Sequence, residues 1–236
     1  MVKREYKLHK TISLAIALII LISALMHCPV NADSRSEAAV AADITDTAAA
    51  EIPSYAEYID KYTHSAKPNT DIVMGASQSP TVSNGQLKIL ENYEGHSGKA
   101  VSLKENQDIT WRFNVSQEGL YLLKIDYYPV TGTGSTIERR VLLDGYAPFK
   151  EAETFSLDRV WKNQDNSVHY DIQGNQIMIP QTEAPSWRTQ YAEDATGFAG
   201  TPLRFYLSAG MHTLTLAGVR EPLILGTVSF CTVSET

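Results

Sequence analysis

The stretch from Asp108 to Phe149, DITWRFNVSQEGLYLLKIDYYPVTGTGSTIERRVLLDGYAPF, constrains the fold of this chain more than any other. Ile109, Trp111, Phe113 and Val115 fall on one parity, and Thr110, Arg112 and Asn114 on the other, which is the period of a half-buried strand. After a turn at Gln117-Glu118-Gly119, Tyr121, Leu123, Ile125 and Tyr127 alternate with Lys124, Asp126 and Tyr128 until Pro129 and two glycines, Gly132 and Gly134, close the run. A third run carries Ile137, Val141 and Leu143 and ends in an Asp144-Gly145 turn. The segment therefore reads as three consecutive antiparallel strands. Arg139 shares the apolar parity of the third. A guanidinium there requires either carboxylate partners inside the protein or a ligand within reach.

The N-terminus sets the compartment. Lys3, Arg4, Lys7 and Lys10 precede an apolar core from Ile12 to Met26, and Val30-Asn31-Ala32 offers a cleavage site, so residues 1–32 read as an export signal. Fifteen apolar-core positions are too few for a membrane span. A lipid anchor on Cys28 is disfavoured by the bulky His27 before it. The protein is expected to be secreted, extracellular or at the cell surface. Without the signal, 16 basic and 26 acidic residues remain, a net charge of about −10, and no basic cluster is left to meet nucleic acid. Cys231 is then the one cysteine, so stability must come from an apolar core.

Residues 33–52 are rich in Ala, Asp, Ser, Thr and Glu and read as a disordered spacer, leaving residues 53–236 for one folded domain. Ser54 and Glu57 form a capping box, and Tyr55, Tyr58, Ile59 and Tyr62 recur at helical spacing, which predicts a short helix whose tyrosines pack on the domain behind it. Short β-type runs follow at residues 71–74, 87–91 and 100–103. After the opening stretch, others come at 151–155, 176–180, 203–207, 212–217 and 223–231. Their number and spacing predict an all-β jelly-roll sandwich with one short N-terminal helix. The last two runs suggest a hairpin-like ending. The final run is apolar on both parities, the mark of an interior strand, with Cys231 as a small buried hydrophobe.

Between Ser156 and Thr201 the alternation breaks, save for the run near Ile177. Long insertions on a rigid sandwich are where function tends to sit. This one is dense in Trp, Tyr, Asn, Gln, Asp and Glu, the chemistry that stacks on the C–H face of a sugar ring and chelates its hydroxyl pairs.

In chain order, Gly119-Leu120-Tyr121, Ile137-Glu138-Arg139, Leu143-Asp144-Gly145 with Pro148-Phe149, and Arg159-Val160-Trp161 form the first half of a combined pattern. Gly174-Asn175, the Q-x-E-x-P-x-W run from Gln181 to Trp187, and Phe205-Tyr206-Leu207 with Gly210 and His212 complete it. This pattern resembles the N-terminal galactose-binding-like domain of large extracellular solute-binding proteins from Gram-positive sugar importers, and more loosely jelly-roll carbohydrate-binding modules. The resemblance spans Ile52 to Phe230. It implies a galactose-binding-like sandwich, a carbohydrate partner (oligo- or polysaccharide), and ABC importer components as further partners if the module belongs to a larger protein. The importer receptors continue into a two-lobed body, which this chain does not contain.

The candidate ligand-binding residues are Trp187, Trp161, Tyr191, Arg139, Glu183, Gln181, Asn175 and Asp171. Trp187 and Trp161 are either stacking platforms or loop anchors, whereas Trp111 lies on the core parity. Arg139 either meets a ligand or forms a buried salt bridge with Asp171, Glu183 or Asp194. Asp165, Asp171, Glu183, Glu193 and Asp194 offer oxygen ligands for a structural calcium without an EF-type loop, and the scattered His64, His96, His169 and His212 argue against zinc. No nucleophile elbow or H-E-x-x-H motif is present, and the reading is of a non-enzyme. Two rivals stand beside sugar binding: a docking or spacer domain without glycan affinity, and a glycosidase whose carboxylate pair leaves no motif.

Overall fold

The computed structural model describes residues 51–195, 197 and 201–233. The expected export signal, Cys28 and the spacer up to residue 50 lie outside the described residues. Among the described residues, no helix is long and apolar enough to cross a membrane.

Helix α1 spans Tyr55–Tyr62. Its start is the capping box read from the sequence: the Ser54 hydroxyl accepts from the Glu57 N–H, and the Ser54 N–H donates to the Glu57 carboxylate at 2.8 Å. The tyrosine stripe faces the sandwich. Tyr55 and Tyr58 lie 5.0 and 4.8 Å from the Phe149 ring, and Tyr62 stacks on Tyr206 at 4.1 Å.

Sixteen strands follow, in chain order β1 (Ile72–Met74), β2 (Thr81–Val82), β3 (Lys88–Glu91), β4 (Lys99–Leu103), β5 (Ile109–Val115), β6 (Gly119–Pro129), β7 (Ile137–Leu143) and β8 (Phe155–Leu157). The second half comprises β9 (Trp161–Asn163), β10 (His169–Tyr170), β11 (Gln176–Ile177), β12 (Gln181–Glu183), β13 (Arg188–Tyr191), β14 (Arg204–Leu207), β15 (Gly210–Arg220) and β16 (Leu223–Thr232). Twelve of them build an all-β jelly-roll sandwich. The first sheet runs β13-β6-β16-β4-β3, with β14 beside the other half of β6 and β1 beside β16. The second runs β2-β5-β15-β7-β8. The other four strands form two small ribbons, β9 with β12 and β10 with β11.

The alternation of the opening stretch is observed residue by residue, since β6 reads buried and half-buried in turn from Gly119 to Pro129. The pairing differs from the sequence reading. The three successive strands are not neighbours: β5 and β7 belong to the second sheet with β15 between them, and β6 belongs to the first. The expected hairpin of the last two runs is divided likewise, β15 in one sheet and β16 in the other. A half-buried strand must cover its apolar face with another sheet, and crossing between sheets at each turn sets those faces opposite one another. Phe113 of the second sheet thus meets Phe230 of the first at 5.5 Å. Trp111 is core, as expected, and its indole N–H donates to the Gly75 carbonyl at 3.0 Å.

Two further expectations are corrected. The strand expected at 151–155 is a 3-10 turn over Lys150–Glu153 followed by β8. That turn holds α1, because the Glu151 carboxylate accepts the Tyr55 N–H at 2.7 Å and the Lys150 N–H donates to the Pro53 carbonyl at 2.9 Å. Arg139 is buried, 1% exposed, and the partners shown for its guanidinium among the described residues are backbone carbonyls rather than the expected carboxylates. It donates to the carbonyls of Glu138, Arg220 and Glu221 at 2.7, 2.9 and 2.8 Å. Those last two carbonyls lie where β15 ends and the chain turns into β16, with Glu221 left-handed (φ 67°). Burial lowers the Arg139 pKa to about 10, with Asp108 and Glu105 opposing the shift.

Candidate functional site

The outer row of β6 runs Leu120, Leu122, Lys124, Asp126 and ends in Tyr128, an aromatic residue after two charged ones. Register sets β13 beside it, Arg188 opposite Tyr127 and Tyr191 opposite Lys124, so Trp187 enters just before β13 on the outer side, next to Tyr128. The two rings lie 5.8 Å apart, edge to face. The indole settles against the sheet because β16 has a bulge between Leu225 and Val228 that carries Gly226. A Cβ at Gly226 would come 3.1 Å from Trp187 Cζ3.

The third side is the β3–β4 connection. Asn92 (φ 51°) and Glu94 (φ 47°) are left-handed without being glycine, and the Asn92 N–H and side chain close the loop on Gly98 at 2.8 and 3.1 Å. Non-glycine residues in that region cost energy and are found where a surrounding structure holds them for a purpose. Here the loop brings Tyr93 within 5.3 Å of Tyr128 and sets the His96 imidazole 4.1 Å from the Trp187 ring, tilted by 31°. The Tyr93 carbonyl accepts the Trp187 indole N–H at 2.9 Å and the His96 N–H at 3.0 Å.

Together Glu94, Gly95, His96, Tyr128, Pro185, Ser186 and Trp187 line a concavity of about 420 Å³ open to solvent. Burial raises the Tyr128 pKa, and the neighbouring Glu94 and Tyr93 push it further, so its hydroxyl is a hydrogen-bond donor at neutral pH. Glu94 adds an exposed carboxylate and Ser186 a hydroxyl. Flat apolar ring faces flanked by a few polar groups suit a ligand that is apolar on one side and rich in hydroxyls at its rim.

The residues expected from the sequence are dispersed. Trp187 is half-buried, anchored by its N–H as the loop-anchor reading expects, and lines the concavity. Tyr191 shares the outer row of β13, about 13 Å further along the strand. Trp161 is 45% exposed but stands on β9, paired with Glu183 of β12 and outside the concavity. Gln181 is exposed on the same ribbon. Asp171 and Asn175 hold the tip of the β10–β11 ribbon, where the Asp171 carboxylate accepts the N–H groups of Gln173 and Asn175 and the Asn175 amide. Tyr128, Tyr93, Glu94 and His96 were missed. An aromatic residue on the outer parity of β6 was the legible sign of Tyr128; nothing local marks the other three.

Glu183 meets Arg159 rather than Arg139. The Arg159 guanidinium pairs with Glu183 at 2.6 Å and Glu221 at 2.9 Å, and donates to the carbonyls of Ser135 and Val130. Arg159 and Glu221 are 3% and 2% exposed, so this is an interior clamp that fixes the root of the insertion. Gly132 is required beside it, because a Cβ there would overlap the Glu221 carboxylate at 1.7 Å. The suggested calcium ligands are likewise engaged apart from one another: Asp165 with His169, Asp171 in its turn and Glu183 with Arg159. Among the described residues, no cluster of three or more His, Cys, Asp or Glu side chains could hold a metal ion.

Ser208, His212 and Asp144 stand in series, Oγ to Nε2 at 3.1 Å and Nδ1 to Oδ2 at 2.7 Å. His212 Nε2 also lies 3.0 Å from the Ser208 carbonyl, so the imidazole ties the β14–β15 turn to Asp144.

No protein-family model and no curated protein matches the chain. Solved structures do. The GH26-CBM35 β-(1,4)-mannanase of Podospora anserina is 12% identical, covering 72% of this chain and 29% of that one, at a TM-score of 0.42. A family 35 carbohydrate-binding module from Clostridium thermocellum is 14% identical over 69% of this chain and 99% of that one, at 0.40. The C-terminal CBM6 of the laminarinase LamC from Zobellia galactanivorans is 10% identical over 69% and 99%, also at 0.40. The chain thus spans less than a third of the mannanase it matches.

Proposed function

We propose that this protein is a non-catalytic carbohydrate-binding module that takes an oligo- or polysaccharide in the concavity of Trp187 and Tyr128. The observation that carries this reading is the meeting of three separate chain segments around that one hollow, which is lined by aromatic rings together with an exposed carboxylate and an exposed hydroxyl. A pyranose offers the complementary surface, an axial C–H face for the rings and hydroxyl pairs for Glu94, Ser186 and the Tyr128 hydroxyl. Tyr191, further along the same row, extends the surface toward a second sugar unit.

The export signal read from residues 1–32 supports an extracellular or cell-surface location. The motif resemblance supports a place at the front of a solute-binding protein of a sugar importer. Calorimetry against mannohexaose, laminarihexaose and isomaltoheptaose, chosen for their different linkages, tests the binding. The expected result is a Kd in the micromolar to millimolar range for at least one of them, weakened tenfold or more by Trp187→Ala. A folded protein that binds none of the three refutes the reading.

A docking domain is the second reading, and one observation favours it. The ribbons between Trp161 and Glu183 expose Ile172 at 97%, Met178 at 90% and Tyr170 at 64%. Apolar side chains so exposed mark contact surfaces for proteins more often than for sugars.

A further inference from the structure

His96 occupies the place in which a ligand would stack. Its imidazole lies 4.1 Å from the Trp187 ring at a tilt of 31°, the spacing at which a sugar ring sits on an aromatic platform. Yet the imidazole is poorly satisfied there, because Nδ1 is buried without a hydrogen-bond partner. A buried polar atom in that state gains by returning to water.

The surroundings separate the imidazole from the platform beneath it. The Tyr93 carbonyl receives both the Trp187 indole N–H and the His96 backbone N–H, so indole and loop backbone are held by one acceptor. Asn92 and Gly98 close the base of the loop. The side chain of His96 can therefore turn about its own bonds while Trp187 stays in position. The hollow that His96 lines is open to solvent, which leaves the side chain room to turn.

We propose that His96 is the affinity-setting residue of this site: its imidazole covers Trp187 in the free protein, and a pyranose binds by displacing it and taking its place on the indole. This inference rests on the carbohydrate reading of the concavity. It makes the platform prearranged and covered, and it makes affinity depend on how readily residue 96 leaves.

The test uses the whole chain carrying Trp161→Phe, so that Trp187 is the indole reporting to solvent while Trp111, 1% exposed, stays silent. His96→Ala and His96→Phe are compared with His96 in that background. Acrylamide quenching of Trp187 is expected to rise about twofold in His96→Ala and to stay low in His96→Phe. For whichever of mannohexaose, laminarihexaose or isomaltoheptaose binds, Kd is expected to fall three- to tenfold in His96→Ala and to rise in His96→Phe, whose larger ring keeps the stack. Unchanged quenching in His96→Ala overturns the cover, and weaker binding in that variant makes His96 a ligand contact instead. Either result leaves carbohydrate binding standing. Failure of the unsubstituted chain to bind any of the sugars, with its thermal melt intact, removes the carbohydrate reading and this inference with it. Binding that Trp161→Phe alone abolishes moves the site to the ribbons and overturns this inference only.

Discussion

Arg139 and Arg159 show how much a single side chain's role depends on its partners. Arg139 announced itself by breaking an apolar row, while Arg159 entered only as part of the Arg159-Val160-Trp161 pattern, and both are buried clamps. Arg159 is the one that meets carboxylates. Burial pushes the Glu221 pKa up, but the Thr133 hydroxyl, the N–H groups of Ser135 and Thr133 and the Arg159 charge outweigh it, so the net shift is below its usual 4.5. A carboxylate with a depressed folded pKa contributes stability above its unfolded pKa and loses it as pH falls through the folded value. Thermal melts should therefore drop as pH is taken from about 5 toward 3. Glu221→Gln should cost about 3 kcal/mol at pH 7, since it leaves a buried guanidinium short of one partner, and should flatten that acid limb. Equal pH slopes in the two proteins would assign the acid loss elsewhere, with the Asp144 carboxylate the next candidate: burial raises its pKa, but hydrogen bonds from Thr213 and His212 prevail and lower it.

At the scale of elements, α1 and the ribbon arm make opposite cases. The helix was readable because its signals are local: the Ser54 cap, the Glu57 return bond and tyrosines at helical spacing lie within nine residues. Ser54→Ala should lower stability by about 1 kcal/mol, measured by urea unfolding. In the arm formed by the β9–β12 and β10–β11 ribbons, the strand expected at 176–180 is present only as β11, Gln176–Ile177, and the rest was not legible because two-residue strands have no periodicity to display. Its stability comes from the root, where Glu183 meets Arg159 and the Gln164 N–H donates to the Pro180 carbonyl. Replacing residues 165–179 by Asn-Gly should leave the melting temperature within about 3 °C, because the clamp remains and the excised side chains are mostly exposed. The same excision should leave binding at the Trp187 concavity intact, as no excised residue lines it. Loss of glycan binding in the excised protein would move the site to the arm and restore Asp171 and Asn175 as its candidates.

For the whole molecule, among the described residues the sandwich holds together without a disulfide. Cys231 is a free, buried thiol whose pKa burial raises, and it lies on the outer row of β16 opposite Leu122. Unfolding and refolding in urea should give the same midpoint with and without a thiol reductant, because no disulfide constrains either state. The concavity is a property of this scale too. Its lining comes from residues 94–96, 128 and 185–187, three segments that meet because β6, β16 and the β3–β4 loop are assembled in one sheet and its margin.

The sequence by itself determined the all-β character, the helix and its cap, the buried faces of β5, β6 and β7, and the interior place of β16, since strand parity and capping act over a few neighbouring residues. Only the tertiary structure decided that β5, β6 and β7 alternate between sheets, that Arg139 serves carbonyls while Glu183 serves Arg159, and that Tyr128, His96 and Trp187 share a hollow. Those outcomes depend on which distant segments become neighbours. Side-chain period two records which face of a strand is buried, but carries no record of the strand that covers it.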